Sequence, residues 1–494
     1  MGDDDMNAKL LKDAKQVVAE ALSKLINASF KQSKFPSALK KALVKPVHKK
    51  DCIEDPSNYR PLSILPVLSK VFERAAANQI VAYLNEHNLL NEIQHAYRKG
   101  HSTETCLNEI TDFIYEEIDK GNLVGLASLD LSKAFDSIDH DLLIEKLRSL
   151  NLGENSLNWC SSYLTGRKQK TKFKKFRSTE EDVTSGVPQG SILGPLLFIC
   201  FVNDLPESFQ NCKIVSYADD TQILVSAKTG KQIKVQLENL LDTAQQWYTR
   251  NSLLNNPSKT EVIIFTKRKT KESFEVEITE EGIKKKLKLQ KTVKILGVFL
   301  DEELNWTRQI NEINKKARNA TRNLQRVNYL LPFRLKLMLY NSLVATHFNY
   351  ADTVWGGCNK TNKNKLERTQ NCAIKSILGL KRRDSSQEAR QTANLLTLEA
   401  KRQIHEAVFT KRAMSGKLPT SITQKYQNLT SLKTNRSSER QILAVPKHKT
   451  EYYKNSPLYR TVKTWNSVPQ NLKNTEVETF KTNYQRYLHQ DTSK

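Results

Sequence analysis

The sequence predicts an α+β fold, and three stretches carry this prediction. Residues 123–129, followed by Asp130, form an apolar run typical of a buried strand. Residues 213–225 place apolar runs on both sides of a short polar tip, 217–220, which indicates a tight β-hairpin. From Trp306 onward, apolar residues recur every three or four positions, as they do on one face of a helix. We therefore expect sheets in the first 300 residues and mainly helices after them.

Hydrophobic periodicity also predicts the remaining elements in chain order. In the first part we expect a helix over 8–27, a strand within 42–50, a turn at 56–63, and helices over 66–87, 103–119, 141–150, 192–205 and 233–247. In the second part we expect a strand at 261–265, a strand pair at 294–301, helices over 306–327, 332–350, 362–380, 386–414 and 475–490, and a partly extended linker at 415–460.

The charge of the chain is unevenly distributed. Lys and Arg number 78 against 53 Asp and Glu, so the formal net charge is +25. Residues 301–494 alone carry 35 basic and 15 acidic residues, an excess of +20. This excess is larger than solubility requires, and it favours a polyanionic partner held mainly by the C-terminal part.

The seven cysteines and the apolar runs exclude several classes of protein. No two cysteines are close enough in sequence for the paired spacing of a zinc site, and an odd, scattered set is typical of reduced thiols inside a cell. No apolar run approaches 18 residues, and the first residues are acidic, so neither a membrane span nor a secretory signal is expected.

Two acidic sites are the main candidates for chemistry. Asp219 and Asp220 stand at the predicted hairpin tip, where acids are often only part of a solvated turn. Asp130 weakens that interpretation, because it ends a second predicted strand. Carboxylates on neighbouring strands can hold two Mg²⁺ ions about 3.5–4 Å apart for phosphoryl transfer.

Three motifs in this order resemble the palm of a reverse transcriptase. They are Leu129-Asp130-Leu131-Ser132-Lys133-Ala134-Phe135-Asp136, the stretch Ser185 to Phe198 with its Val187-Pro188-Gln189-Gly190 core, and Tyr217-Ala218-Asp219-Asp220. The resemblance is strongest to the polymerases of non-long-terminal-repeat retrotransposons, in particular jockey-like elements of animals. It covers residues 30–300 strongly and 301–494 loosely. It implies a right-hand polymerase with fingers, palm and thumb, followed by a basic helical C-terminal region.

The resemblance also implies roles for single residues. Asp130, Asp219, Asp220 and the backbone of Leu131 would hold two Mg²⁺ ions, for which Mn²⁺ can substitute, and Asp220 would assist the other two acids. Lys259 would protonate the leaving pyrophosphate, although a surface lysine is the simpler interpretation. Nucleotide contacts would come from Arg98, Phe135 and Gln189. Arg98 suits a triphosphate because a guanidinium grips two oxygens at once, whereas a solvated basic loop is the alternative. The ring of Phe135 would exclude a ribose 2′-hydroxyl by its volume. The alternative is that it packs in the core, and it can have both roles.

A basic face is predicted on the helix that begins near Trp306. Arg318, Arg322 and Arg326 are four residues apart, with Lys315 before them, and so share one side of the helix. A thumb helix following a nucleic-acid backbone would look like this, and a merely solvated face is the alternative.

The expected organisation has four segments: an N-terminal helical lead-in at 1–29, a reverse transcriptase domain at 30–301, a helical thumb-like region at 302–414 and a basic extension at 415–494. The implied partners are an RNA template, a DNA primer or target DNA, and dNTPs, with no membrane. Jockey-like elements usually carry an endonuclease upstream, and this chain has no room for one. Either the copy is truncated or this sequence omits that domain, and in the second case an endonuclease is expected upstream or in trans. Lys381-Arg382-Arg383 is a weak nuclear signal, so we expect an intracellular protein, in the nucleus or the cytoplasm.

Two other functions remain open at this point. One is a catalytically inactive or domesticated nucleic-acid-binding remnant, against which the intact acids argue. The other is an RNA-dependent RNA polymerase, which Phe135 and Ala218 disfavour. Extension of a DNA primer on an RNA template, with dNTPs and separately with rNTPs, distinguishes these possibilities.

Overall fold

The computed structural model describes residues 6–49, 52–131, 134–253, 259–268, 275–280, 283–431 and 441–491. It contains both sheets and helices, which confirms the α+β class. Within these residues, no helix combines the length and the apolar character that crossing a membrane requires.

Among the residues that the structure describes, the strands lie between 41 and 301. They are β1 (Lys41–His48), β2 (Tyr59–Ile64), β3 (Leu123–Leu129), β4 (Arg167–Phe173), β5 (Phe176–Arg177), β6 (Glu181–Val183), β7 (Lys213–Tyr217), β8 (Asp220–Ala227), β9 (Glu261–Phe265), β10 (Glu275–Glu280), β11 (Ile283–Lys288), β12 (Thr292–Ile295) and β13 (Val298–Asp301).

The helices surround these strands and make up most of the rest of the described chain. They are α1 (Ala8–Asp13), α2 (Lys15–Lys31), α3 (Val67–Glu86), α4 (Thr103–Asp119), α5 (His140–Ser149), α6 (Glu154–Leu164), α7 (Leu193–Phe201), α8 (Gly230–Arg250), α9 (Thr307–Val327), α10 (Phe333–Leu339), α11 (Thr346–Asn349), α12 (Asp352–Trp355), α13 (Lys360–Leu378), α14 (Ser386–Thr392), α15 (Leu398–Met414), α16 (Thr420–Ser431), α17 (Pro457–Ser467), α18 (Gln470–Lys473) and α19 (Val477–Asp491).

The central sheet has the order β7-β8-β3-β9, with every neighbouring pair antiparallel. Successive side chains on β3 point to opposite faces, and both faces are buried. Ala127 and Leu129 pack into the core that includes α8, while Val124 and Leu126 pack into the core that includes α4. This double burial explains the continuous apolar run of β3.

Close contact between α8 and the central sheet depends on Gly125. A Cβ atom at this position would lie 2.5 Å from Ile233 Cγ2 of α8, which is too close for any side chain. The glycine therefore lets α8 lie directly on β3 and fixes the sheet that carries the acids.

A second, five-stranded sheet contains β2, β1, β4 and β5 in that order, with β6 paired to β4. Prolines are tolerated here because of where they stand. Pro61 lies on the edge strand β2, and its partner Pro46 lies on β1 beyond Val44, the last β1 residue paired with β4.

The C-terminal helices pack into two hydrophobic cores. Helices α9 and α13 pack into the core that α4 shares with the central sheet. Helices α15, α16, α17 and α19 contribute to a separate core that includes Phe409, Tyr426, Trp465 and Phe480.

Several local predictions were wrong. Residues 59–64 form β2 where a turn was expected, and α7 ends at Phe201 rather than at 205. The helix expected over 386–414 is divided into α14 and α15, and the expected linker contains the buried helix α16. Strands β4 to β6 and the β10–β11 pair were not predicted. Residues 132–133 of the first motif and 432–440 of the expected linker lie outside the described residues.

Candidate active site

The hairpin of β7 and β8 turns over two residues. Tyr217 pairs with Asp220, so Ala218 and Asp219 form the connection. Ala218 has a φ of 55°, the left-handed region that a residue with a Cβ rarely adopts. Two-residue hairpin turns require such a positive φ. The tip is thus a locally strained conformation, which persists only where the surroundings enforce it.

The buried side chain of Gln94 holds this tip in place. Its Oε1 accepts hydrogen bonds from the backbone N–H of Ala218 at 2.8 Å and of Ala96 at 2.9 Å. Its Nε2 donates to the carbonyl oxygen of Ala218 at 3.3 Å. One side chain therefore satisfies both backbone groups of the strained residue next to Asp219.

Asp130 stands beside the same tip. Strand β3 pairs with β8, with Leu129 opposite Thr221, so the antiparallel register places Asp130 next to Asp220. Three carboxylates thus lie at the same end of the central sheet: Asp130 follows β3, Asp219 is in the turn and Asp220 begins β8.

The charges of these carboxylates act on one another. Burial raises the pKa of Asp219, and the negative charge of Asp130 raises it further. Burial, together with the charges of Asp219 and Asp130, raises the pKa of Asp220 to about 6. Lys49 and Arg60 lower both pKa values, so two cations from the β1–β2 hairpin face the acids.

Lys259 pairs with one of the acids directly. Its Nζ lies 2.9 Å from Asp130 Oδ2, and both side chains are partly exposed. Lys259 comes two residues before β9, which pairs with β3, so the sheet itself brings the lysine and the acid together.

The acids fit a hard divalent cation by their donor chemistry. Mg²⁺ takes oxygen ligands, and a bound cation would relieve the repulsion that Asp130 exerts on Asp219 and that both exert on Asp220. Among the residues that the structure describes, no three His, Cys, Asp or Glu side chains already converge closely enough to form a metal cage. The side chain of Leu131, whose backbone was expected to contribute, is buried in the core.

Phe135 combines packing with partial exposure. Its ring stacks on Phe198 of α7 with centroids 4.6 Å apart and an interplanar angle of 28°. Its carbonyl oxygen accepts a hydrogen bond from the N–H of Val187 at 2.8 Å, which ties the first motif to the second. The ring is half-buried rather than enclosed.

Gln189 is engaged within the protein. The side-chain Nε2 of Gln189 donates a hydrogen bond to Asp136 Oδ2 at 2.8 Å. The backbone carbonyl oxygen of Gln189 accepts one from the N–H of Ser63 on β2 at 2.7 Å. The glycine next to it, Gly190, has a φ of 114°, and a Cβ there would lie 2.7 Å from the carbonyl oxygen of Ser63. The close approach at Gly190 is thus to the neighbouring sheet. A contact between Gln189 and a nucleotide stays a prediction.

Arg98 and its neighbour Tyr97 lie beside the hairpin in different ways. The Arg98 Nη1 donates to the carbonyl oxygens of Asn91 at 2.6 Å and Gln94 at 3.4 Å, so the guanidinium braces the segment that holds the tip. Its approach to a triphosphate stays a prediction. Burial raises the pKa of Tyr97, and the charge of Asp219 raises it further, which places this phenol close to the acids.

The basic face of α9 is exposed. Lys315, Arg318, Arg322 and Arg326 are all exposed, and none of them forms an ion pair with another described residue. The opposite face, with Ile310, Ala317 and Leu324, is buried.

Sequence reasoning missed Lys49, Arg60, Gln94 and Tyr97. Arg60 lies within Asn58-Tyr59-Arg60-Pro61, which was interpreted as a turn, whereas the structure places it on β2. Gln94 gave no local signal, because its partner Ala218 is 124 residues away in sequence.

Comparisons with known proteins show what this chain is similar to. A family model described as reverse transcriptase (RNA-dependent DNA polymerase) matches residues 47–300. The probable RNA-directed DNA polymerase from transposon BS of Drosophila melanogaster is 30% identical over 370 residues, covering 72% of this chain and 40% of that protein. The RNA-directed DNA polymerase from mobile element jockey of the same organism is 27% identical over 392 residues, covering 76% of this chain and 42% of that protein.

The chain thus spans about 40% of the length of these curated relatives. Among solved structures, apo telomerase from Candida tropicalis aligns with a TM-score of 0.40 at 10% identity, covering 76% of this chain and 63% of that chain.

Proposed function

The chain belongs to the reverse transcriptase family, and from this premise we propose that it extends a primer 3′-hydroxyl on an RNA template with dNTPs. In the right-hand fold of this family, the central sheet is the palm and the five-stranded sheet belongs to the fingers. We assign α9 to the thumb-like region.

The observation that carries the proposal is the group of three coupled carboxylates. Asp130 follows β3, and Asp219 and Asp220 stand at the strained hairpin tip that Gln94 fixes. Burial raises the pKa values of Asp219 and Asp220, and the charges of neighbouring carboxylates raise them further. We propose that they hold two Mg²⁺ ions, with Mn²⁺ as a substitute. When bound, such ions acidify the primer hydroxyl and neutralise the triphosphate.

Side chains around the acids supply the remaining functions. Lys49 and Arg60 offer positive charge on the fingers side, which suits the phosphates of an incoming nucleotide. The Nζ of Lys259 lies 2.9 Å from Asp130 Oδ2. We assign Lys259 the role of proton donor to the leaving pyrophosphate. The half-buried ring of Phe135 would exclude a 2′-hydroxyl, and the exposed face of α9 would bind phosphates of the template–primer duplex.

The partners follow from the same proposal. They are an RNA template, a DNA primer or target DNA with a free 3′-hydroxyl, and an endonuclease, supplied upstream or in trans, that creates this end. We place the activity in the nucleus, where chromosomal target DNA lies. The exposed Lys381-Arg382-Arg383 run agrees with this location.

Primer extension tests the proposal. The purified chain is incubated with a labelled DNA primer on an RNA template and Mg²⁺, and with dNTPs or rNTPs in parallel. We expect extension with dNTPs and little with rNTPs. Preference for rNTPs would indicate an RNA polymerase, and absence of both products, with template binding intact, would indicate a binding remnant.

A further inference from the structure

The hairpin of β4 and β5 projects an unusual surface from the fingers. Its turn is Lys174-Lys175, and Phe173 pairs directly with Phe176 across it. These two rings are 48% and 67% exposed. Directly opposed residues on paired strands share a face of the sheet. Two large apolar rings therefore stand side by side in solvent, a surface that commonly marks a contact site.

Two further rings extend this pair across the sheet. Tyr59 on β2 meets Phe173 edge to face with centroids 6.4 Å apart, and His48 on β1 lies 5.2 Å from Tyr59. We call His48, Tyr59, Phe173 and Phe176 the aromatic row. It presents a line of rings on one face of the fingers, at the edge where the hairpin ends.

Cations without acidic partners accompany the row. Lys172, Lys174 and Lys175 are exposed and form no ion pair with the other described residues. Lys174 Nζ and Lys175 Nζ lie 5.7 Å and 5.6 Å from the ring centres of Phe173 and Phe176. By contrast, Lys168 and Lys170, nearer the base of the hairpin, are both paired with Glu180. Within this described hairpin, positive charge is thus left unneutralised where the rings are exposed.

The aromatic row faces away from the acids. In the β1–β2 pair, His48 is opposite Tyr59 and Val47 is opposite Arg60, so these two pairs point to opposite faces. The charge of Arg60 acts on Asp219 and Asp220, which places its face toward the active site. The aromatic row is therefore on the outer face, separated from the catalytic cleft by the thickness of the sheet.

We propose that the aromatic row binds single-stranded RNA, namely the stretch of template that has not yet been copied. Exposed rings stack on unpaired bases of any sequence, and lysines beside them hold the phosphates. A duplex cannot use such a row, because its bases are already stacked. The identification of this strand as the template rests on the proposed function, whereas binding of single-stranded RNA does not.

The test compares two RNA templates annealed to the same labelled DNA primer. One leaves a 5′ overhang of about 16 nucleotides, the upper end of known single-strand sites, and the other leaves a single unpaired nucleotide. Binding by the full chain is followed by fluorescence anisotropy without dNTPs, so the result does not depend on polymerisation. We expect wild type to bind the long overhang more tightly. The double variant F173A/F176A should lose at least about tenfold in affinity for the long overhang and bind the short one as wild type does.

Matched variants separate stacking from general effects. F173W/F176W should keep the affinity for the long overhang, whereas F173L/F176L, which stays apolar but lacks rings, should lose it. K172Q/K174Q/K175Q should lower the salt slope for the long overhang by about two units. The control K9Q/K12Q/K15Q removes the same charge from exposed positions on α1 and α2 and should leave that slope unchanged.

Two results would overturn the proposal. One is equal binding of both templates by wild type. The other is an affinity loss in F173A/F176A that is the same for both overhangs, or no loss at all. In either case, primer extension still tests the proposed function separately, since the short-overhang template retains everything that the cleft requires.

Discussion

Replacing Gln94 with Met should impair catalysis strongly, although Gln94 is not one of the acids. Met has a similar length but makes none of the three hydrogen bonds that Gln94 makes with the backbone of Ala218 and Ala96. A net contribution of about 1 kcal/mol per hydrogen bond gives about 3 kcal/mol. If this energy is what keeps Ala218 at a φ of 55°, the tip relaxes when the bonds are lost and Asp219 leaves its position.

The expected kinetic effect follows from that energy. If displacement of the acids raises the activation free energy by about 3 kcal/mol, kcat falls roughly 100-fold. KM for dNTP should change much less, because the cations that face the phosphates come from the β1–β2 hairpin. Single-nucleotide extension measures both constants, and thermal unfolding of the same samples measures stability.

A matched control distinguishes positioning from general destabilisation. Gln370 is also a buried glutamine that donates to a backbone carbonyl, that of Leu396 at 3.1 Å, but it belongs to the C-terminal helices. Gln370→Met should lower Tm and leave kcat close to wild type. A folded Gln94→Met variant with an unchanged kcat would contradict a positioning role for Gln94, and so would an equally strong fall in kcat in Gln370→Met.

Three further predictions concern the acids, the basic helix and the sugar. The pKa of Asp220 in the folded protein is raised to about 6. Above that pH the ionised carboxylate destabilises the folded state, and this destabilisation decreases as the pH falls below 6. Asp220→Asn should therefore raise Tm at neutral pH without Mg²⁺, and the gain should disappear as the pH falls below 6; a gain independent of pH would contradict this origin. Changing Arg318, Arg322 and Arg326 together to Gln should lower the salt slope of duplex binding by up to about three units, equally for all sequences, and an unchanged slope would mean that these arginines do not contact phosphates. Phe135→Val should raise rNTP use relative to dNTP by at least about tenfold, roughly 1.4 kcal/mol of discrimination, whereas a fall in both activities together with Tm would assign the ring to packing against Phe198.

The parts of the fold that could be predicted are those encoded by local pattern. The apolar run of β3 is continuous because both of its faces are covered, and the predicted helix over 103–119 is confirmed as α4. The hairpin tip was predictable because apolar strands flank a two-residue turn. Local pattern alone was therefore enough to place Asp130, Asp219 and Asp220 at strand ends.

The rest depends on contacts between distant segments. Strand β2 was interpreted as a turn because it contains Pro61, and only the edge position of β2 makes that proline acceptable. Helix α16 is rich in Ser and Thr and was assigned to a linker, yet Ile422 and Tyr426 are buried against other C-terminal helices. Lys49 and Arg60 lie near the acids only because the fingers fold over the palm. A local stretch of sequence contains no information on that contact.

The most direct test of the central claim is extension of a DNA primer on an RNA template by wild type and by Asp219→Asn, with dNTPs and Mg²⁺. Binding of the same primer–template is measured in parallel. We expect extension by wild type, no detectable extension by Asp219→Asn or by Asp130→Asn, and nearly equal binding by all three, because the basic surface is untouched. Polymerisation that persists in either variant would contradict the assignment of the catalytic site to these carboxylates.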